Sequence, residues 1–299
     1  MKIAIICPDF DCAGVGWNLK EAINKYTPHK AIHITGHTTF WAQHTDMICR
    51  NDNWKDIYRE LETCDILHFN LEMFQPDRIP KGKKVFFHFH SGTAVSVPET
   101  YLNKAKEINA RLLCCAPPEE LCYGATWIPN VLDFANYPRA SYNGGAISIC
   151  MSHDPQSQLK NIGVYEAHLQ HMIECGYPIK KNLVWGKPKD EALKLRSQSQ
   201  ICLENMVEGY IGMNGWEALA MRQVVVGRLS RYTEIKYAEL GGDFPICNCE
   251  SIQEVDLLIH NFKDNPAEMI DIMQEGRMWM ERFYKPEIIV DKYIKEYEK

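Results

Sequence analysis

Between Glu208 and Val226 the chain reads EGYIGMNGWEALAMRQVVV. Gly209 and Gly212 stand in a turn and permit close backbone approach. A short helical pattern follows. Its first amides, at Gly212, Met213 and Asn214, form a helix N-terminus that favours an anion. Glu217 lies further along, and a carboxylate can accept both hydroxyls of a cis-diol. An anion beside a diol is a phosphate beside a ribose, so the ligand class is a nucleotide. An apolar run, Val224 to Val226, follows at once and reads as a buried strand.

Other residues offer chemistry of lower specificity. His88 and His90 alternate along one strand pattern, KVFFHFH, so both point to one face near its carboxyl end. His90 stands last on that strand. An unperturbed imidazole titrates near neutrality, so His90 is a candidate to orient a hydroxyl or to act as a base. Gly14 and Gly16 open the first strand-to-helix loop. Their spacing, AGVG, is too short for the G-x-G-x-x-G dinucleotide fingerprint, which argues against a nicotinamide enzyme. Asp9-Phe10-Asp11 is a D-x-D in that same loop, a context that reads as loop chemistry and not as a donor-carrying metal site. Trp185 reads as core and Lys187 as a solvated lysine.

These residues need elements to position them. The chain has 299 residues, enough for two domains. A hydrophobic share of 45% and a charged share of 24% describe an ordinary globular composition. The net charge of −6 makes no general electrostatic case for a nucleic-acid partner. Twelve cysteines are scattered without a C-x-x-C pair, so a zinc cluster of that kind is not expected. Several lie in apolar runs and read as buried reduced thiols, which places the protein in the cytoplasm. No apolar run reaches the length of a membrane span, and no signal peptide is evident.

Strand and helix patterns alternate almost throughout. Strands are expected at 2–7, 29–35, 65–69, 84–90 and 111–116, with helices after Gly16 and near 53–63 and 98–110. Turn formers crowd residues 128–145, which places a domain boundary near 143. A second alternating run follows: strand AISICM, helix 164–175, strand NLVWG, helix 188–198, strand QICLEN, the glycine turn and its helix, strand QVVVGRL, helix 231–240 and strand FPICNC. The tail from 251 is nearly all helical, with Pro266 and Pro286 suited to helix starts. The fold class is therefore α/β: two Rossmann-like, doubly wound domains, 1–143 and 144–286, facing a central cleft.

Four stretches carry a family likeness: IICPDFDCAGVGWNL, FFHFHSGT, WIPNVLDFANYP and ENMVEGYIGMNGWEALAMRQVVV. In order and spacing the chain resembles family 4-type glycosyltransferases of the GT-B fold over nearly its whole length. The resemblance implies that residues 144–286 bind the donor and residues 1–143 the acceptor, with the last helix, 287–299, packed back on the first domain. It implies that Glu217 accepts from the donor ribose. It implies that Gly14 and Gly16 approach the donor phosphates and that cations near Lys160 neutralise the departing diphosphate. Lys160 fits the family lysine, while Ser152-His153-Asp154 stands where an arginine is usual, so His153 is a partial substitute. The family's two glutamates have seven residues between them, whereas Glu208 and Glu217 have eight. Glu204 is the other candidate for the first acid, aligned with Gly209, Gly212 and Glu217 in some members.

The activity so implied is transfer of a sugar from a nucleoside-diphosphate sugar, UDP- or GDP-linked, to an acceptor hydroxyl. It proceeds with retention, without metal and without any other cofactor. The acceptor stays open among a glycan, a lipid-linked sugar, a small molecule and a modified nucleic-acid base. A nucleotide-sugar epimerase and a non-catalytic nucleotide-sugar-binding protein are the alternatives on the same fold.

Overall fold

A computed structural model describes residues 1–39, 44–50, 53–90, 99–151, 162–204 and 206–299. The chain divides into two compact units, Met1–Asp133 with Lys285–Lys299, and Phe134–Tyr284. The division falls at Asp133 and Phe134, ahead of the glycine and asparagine cluster at 143–145. Residues after it already pack into the second unit: the Ala140 amide donates to the Met221 carbonyl, and the Ala140 side chain is buried in that unit's core.

The first unit is built on a parallel sheet of seven strands: β1 (Lys2–Phe10), β2 (Lys30–His37), β3 (Met47–Ile48), β4 (Ile66–Asn70), β5 (Lys84–Phe89), β6 (Arg111–Cys114) and β7 (Thr126–Trp127). Their order is β3-β2-β1-β4-β5-β6-β7, so the winding reverses between β1 and β4. Helices α1 (Val15–Tyr26), α2 (Trp54–Thr63), α3 (Glu99–Glu107) and α4 (Pro117–Tyr123) connect them. Residues Ile3 to Cys7 are all fully buried, which both-face coverage of a parallel sheet requires. One face carries Ala4, Ile6, Ile34, Leu67, Phe69, Val85 and Phe87 and packs on Ile57 and Leu61 of α2. The opposite face carries Ile5, Cys7, His33, His68 and His88, by strand alternation.

The helix that closes the chain, α11 (Pro286–Glu298), covers that second face together with α1. Tyr297 of α11 lies edge-on to Phe86 at 5.0 Å, and its hydroxyl meets His68 Nδ1 at 2.7 Å. Pro286 occupies the first turn, where its missing N–H costs nothing.

The second unit has a parallel sheet of β8 (Ile147–Met151), β9 (Ile179–Leu183), β10 (Ile201–Leu203), β11 (Val224–Gly227) and β12 (Cys247–Asn248), ordered β12-β11-β10-β8-β9. Its winding reverses between β8 and β10. The helices are α5 (Ile162–Glu174), α6 (Lys189–Arg196), α7 (Met213–Ala220), α8 (Arg231–Gly241), α9 (Ile252–Asp264) and α10 (Pro266–Phe283). Ile149, Met151, Ile201, Leu203, Val224 and Val226 pack on Leu169, Ile259, Phe262 and Met269.

Two expectations are corrected here. The strand expected at NLVWG is β9, Ile179–Leu183, shifted toward the amino terminus to pair with β8. Trp185 therefore falls beyond the strand end and is 45% exposed, not core. Short β3, β7 and helix α4 were not legible, since two-residue strands and a seven-residue helix carry almost no periodicity. Among the described residues no helix is long and apolar enough to cross a membrane.

Phe87 is fully buried and its ring packs 4.9 Å from Phe89. Phe87→Ala is expected to destabilise the first unit by about 3–5 kcal/mol, read as a lower denaturant midpoint in chemical unfolding.

Candidate functional site

In a doubly wound sheet the strand order leaves a crevice at the carboxyl ends of the strands beside the winding reversal. In the second unit these are the ends of β8 and β10. The segment after β8, with His153 and Lys160, lies outside the described residues. After β10 come Glu204, the glycine turn and α7.

Helix α7 is apolar almost all round and buried from Gly215 to Ala220. Trp216 anchors it, stacked on Tyr284 at 4.4 Å and against Tyr237 and Phe244. At its carboxyl end the Arg277 guanidinium donates to the Ala220 carbonyl, a cation placed on the negative end of the helix. At its amino end Gly212 occupies the cap, and no side chain of its own caps the helix. Gly212, Met213 and Asn214 remain half-exposed there. Gly209 adopts a φ of +76°, a conformation that favours glycine, and its carbonyl accepts from the Ser230 amide.

Glu217 is only 7% exposed, and its charge is compensated. Arg196, at the end of α6, donates from Nη1 to Glu217 Oε2 at 2.6 Å. The same guanidinium donates from Nη2 to the Asn214 carbonyl at 2.5 Å, so one side chain ties Glu217 to the first turn of α7. Gln223 fixes the end of α6 by donating to the carbonyls of Arg196 and Ser199. Lys189 Nζ lies 3.8 Å from Glu217 Oε1. Arg196 and Lys189 were not singled out from sequence. The available signal was Arg196 at i+3 from buried Leu193, a charge on an apolar helix stripe that demands a buried partner.

The two candidate first acids differ in environment. Glu204 is fully buried, and its amide donates to the Val226 carbonyl. A Cβ on Gly215 would fall 2.9 Å from Glu204 Cγ, so this side chain packs beneath α7. Glu208 is half-buried and accepts from the Tyr210 hydroxyl at 2.6 Å.

In the first unit the winding reversal brings together the ends of β1, β4 and β5. Gly14 caps α1 with a φ of +70°. The amides of Gly16 and Trp17 donate to Asp11 Oδ1 and Oδ2, both at 2.9 Å. Asp11 therefore occupies the amides that the glycine loop would otherwise offer to a phosphate. Asp9 is exposed, 3.5 Å from His37 Nδ1.

His90 Nε2 meets Asn70 Oδ1 at 2.7 Å, and His88 Nδ1 meets His68 Nε2 at 3.3 Å. Burial pushes His90 down to about 3, with nearby His68 adding to the effect. Burial likewise pushes His68 to about 3 and His88 well below its ordinary value. The near-neutral titration expected of His90 is thus displaced by desolvation. It stays a neutral imidazole across the physiological range, suited to hydrogen bonding and weak as a base.

No model of a known protein family and no curated protein matches the chain. Solved structures do. An alpha-glucosyltransferase in complex with UDP-glucose and DNA containing an abasic site matches with a TM-score of 0.68 at 11% identity, covering 100% of both chains. The Anabaena protein HepE in complex with UDP and glucose matches at 0.67 and 11% identity, again over 100% of both. A sucrose-phosphate synthase from Thermosynechococcus elongatus matches at 0.64 and 14% identity, covering 100% of this chain and 98% of the other. These likenesses show the fold: two parallel α/β units of the GT-B type.

Two outcomes are expected. Arg196→Ala strips the buried Glu217 carboxylate of its close partner, leaving Lys189 at 3.8 Å, and lowers stability by about 3–5 kcal/mol, with partial recovery when Glu217→Gln is added; a denaturation double-mutant cycle reads both. The second concerns pH. Between about 3 and 6.5 the unfolded chain protonates His68 and His90 while the folded chain does not. Stability from these groups is full above about 6.5 and falls by about 1.4 kcal/mol per histidine for each pH unit below it. His90→Asn shallows the acid limb of stability against pH.

Proposed function

We propose that this protein is a glycosyltransferase that moves a sugar from a nucleoside-diphosphate sugar to an acceptor hydroxyl. The observation that carries the reading is Glu217: a buried, charge-compensated carboxylate on the helix that starts at the winding reversal of the second unit. Solved structures that share the fold over the whole chain are described as bound to UDP or UDP-glucose, which supports a uridine diphosphate sugar as the donor.

The proposed roles follow from residue chemistry. Arg196 engages Glu217 Oε2, so Oε1 is the oxygen offered to the ribose diol. The first amides of α7, at Gly212, Met213 and Asn214, face the diphosphate. Gly209 keeps the turn before α7 close to the donor, and Lys160 with His153 neutralises the departing charge. Glu208 is the acid at the transferred sugar, with Glu204 the buried alternative. In the first unit His90, held neutral, orients an acceptor hydroxyl and is not assigned the base. Gly14 and Gly16 act by shaping the β1–α1 loop, since Asp11 holds the amides of the first turn.

Transfer is assigned retention of configuration, and the leaving diphosphate is assigned to protein cations and helix amides without a metal. The free thiols support a reducing compartment, the cytoplasm. Glycans, lipid-linked sugars, small molecules and modified nucleic-acid bases are the acceptor classes to screen. The DNA-bound alpha-glucosyltransferase is the reason to include the last despite the net charge of −6.

A thermal-shift screen of UDP- and GDP-sugars tests the donor site. One nucleotide class is expected to stabilise the protein, and Glu217→Gln is expected to weaken its binding by about 10–100-fold, the loss of a charge-assisted hydrogen bond. Absence of any shift would sink the reading. With the stabilising donor, release of an isomerised nucleotide sugar without acceptor would instead identify an epimerase.

A further inference from the structure

Beneath the first turn of α1, three side chains that differ in chemistry converge. Cys7 ends the buried run of β1, Asp11 follows in the loop, and His33 comes from the middle of β2. One donor atom from each lies within 4.8 Å of the other two. His33 Nε2 and Asp11 Oδ2 are 3.4 Å apart. The donors of a tetrahedral zinc ion stand roughly 3.3–3.8 Å from one another, as bond lengths of about 2.0–2.3 Å require.

Asp11 has a structural explanation, since its carboxylate caps α1. His33 has none. It is fully buried, and neither ring nitrogen makes a hydrogen bond among the described residues. A buried imidazole left in that state is costly and calls for a partner. The first turn of α1 packs directly on this pair: a Cβ on Gly16 would fall 2.8 Å from Cys7 Sγ and 3.0 Å from His33 Nε2, so any larger residue would push the two donors aside.

We infer that Cys7, Asp11 and His33 form a binding site for a zinc-type divalent cation that pins the β1–α1 loop to the sheet. A thiolate with an imidazole suits zinc among common divalent ions, while a set without thiolate would suit magnesium or calcium. On binding, the Cys7 thiol gives its proton to solvent and forms the sulfur–metal bond. His33 offers the lone pair of Nε2, and Asp11 one carboxylate oxygen. One thiolate and one carboxylate balance the dication, so the buried centre carries no net charge. Three protein donors leave a fourth position of the tetrahedron. Asn70 lies beside the cluster, with Nδ2 3.6 Å from Cys7 Sγ. The role is structural. It is separate from the departing diphosphate, and it stands whether or not the glycosyl-transfer reading does.

The test uses the full chain carrying Cys122→Ser and Cys175→Ser, which removes the two exposed thiols as rival ligands. Elemental analysis after purification without chelator is expected to find up to one zinc per chain. Titration of chelator-stripped protein with cobalt(II) is expected to give a thiolate-to-cobalt charge-transfer band and tetrahedral visible bands that saturate at one equivalent. Cys7→Ser should abolish the charge-transfer band, and His33→Gln should weaken zinc binding by about a hundredfold, the share of one donor among four. Gly16→Ala should weaken binding by displacing Cys7 and His33, with circular dichroism checking that each variant is folded. Absence of both cobalt bands and of any thermal shift with zinc in the parent protein overturns the site. A charge-transfer band that persists in Cys7→Ser overturns the assignment to this cluster.

Discussion

Parallel pairing is the constraint on which the rest of this structure depends. Among the described residues every strand pair in both sheets is parallel, so the connections must cross a face, and helices come to cover both. Side chains in the strand interiors are then sealed from solvent on both sides. The edges where chains enter and leave remain, and the reversal of winding opens a crevice at one of them. Glu204, Glu208 and α7 sit at that edge in the second unit, while Asp11, Asn70 and His90 sit at it in the first.

Burial at these strand ends sets the chemistry on offer. Glu217 is removed from water yet held beside Arg196 and Lys189, so its carboxylate stays paired and aimed. His68, His88 and His90 share one face of the first sheet, and desolvation holds them neutral. The same residue types in water would have exchanged roles, a wandering glutamate and a titrating histidine. Position in the sheet, more than residue identity, decides which is a charge and which is a neutral hydrogen-bonding group.

The helix termini show a similar division of labour. The amides opening α1 are engaged by Asp11, whereas α7 opens on a glycine with no capping side chain of its own. Of the two glycine loops, the first has its amides tied by Asp11, while the second leads into a helix without a side-chain cap. The first is a tightly tied loop above Cys7 and His33.

Much of the fold is legible in the amino-acid sequence. Long apolar runs such as KIAIIC and QVVVG can only be buried strands, and their alternation with helical patterns dictates a doubly wound α/β fold. Proline at 266 and 286 marked helix starts because a ring without an N–H is tolerated nowhere else in a helix. The place of Glu217 was legible because local spacing puts it one turn inside a helix that follows a glycine turn. Three things only the tertiary structure decided. The pairing of Arg196 with Glu217 joins residues from different helices, the Cys7, Asp11 and His33 cluster joins two strands and a loop, and the displaced titration of His90 depends on what covers it. Local order along the chain sets period and turn chemistry, whereas contact between distant segments and exclusion of water arise only when the sheet and its helices close over them.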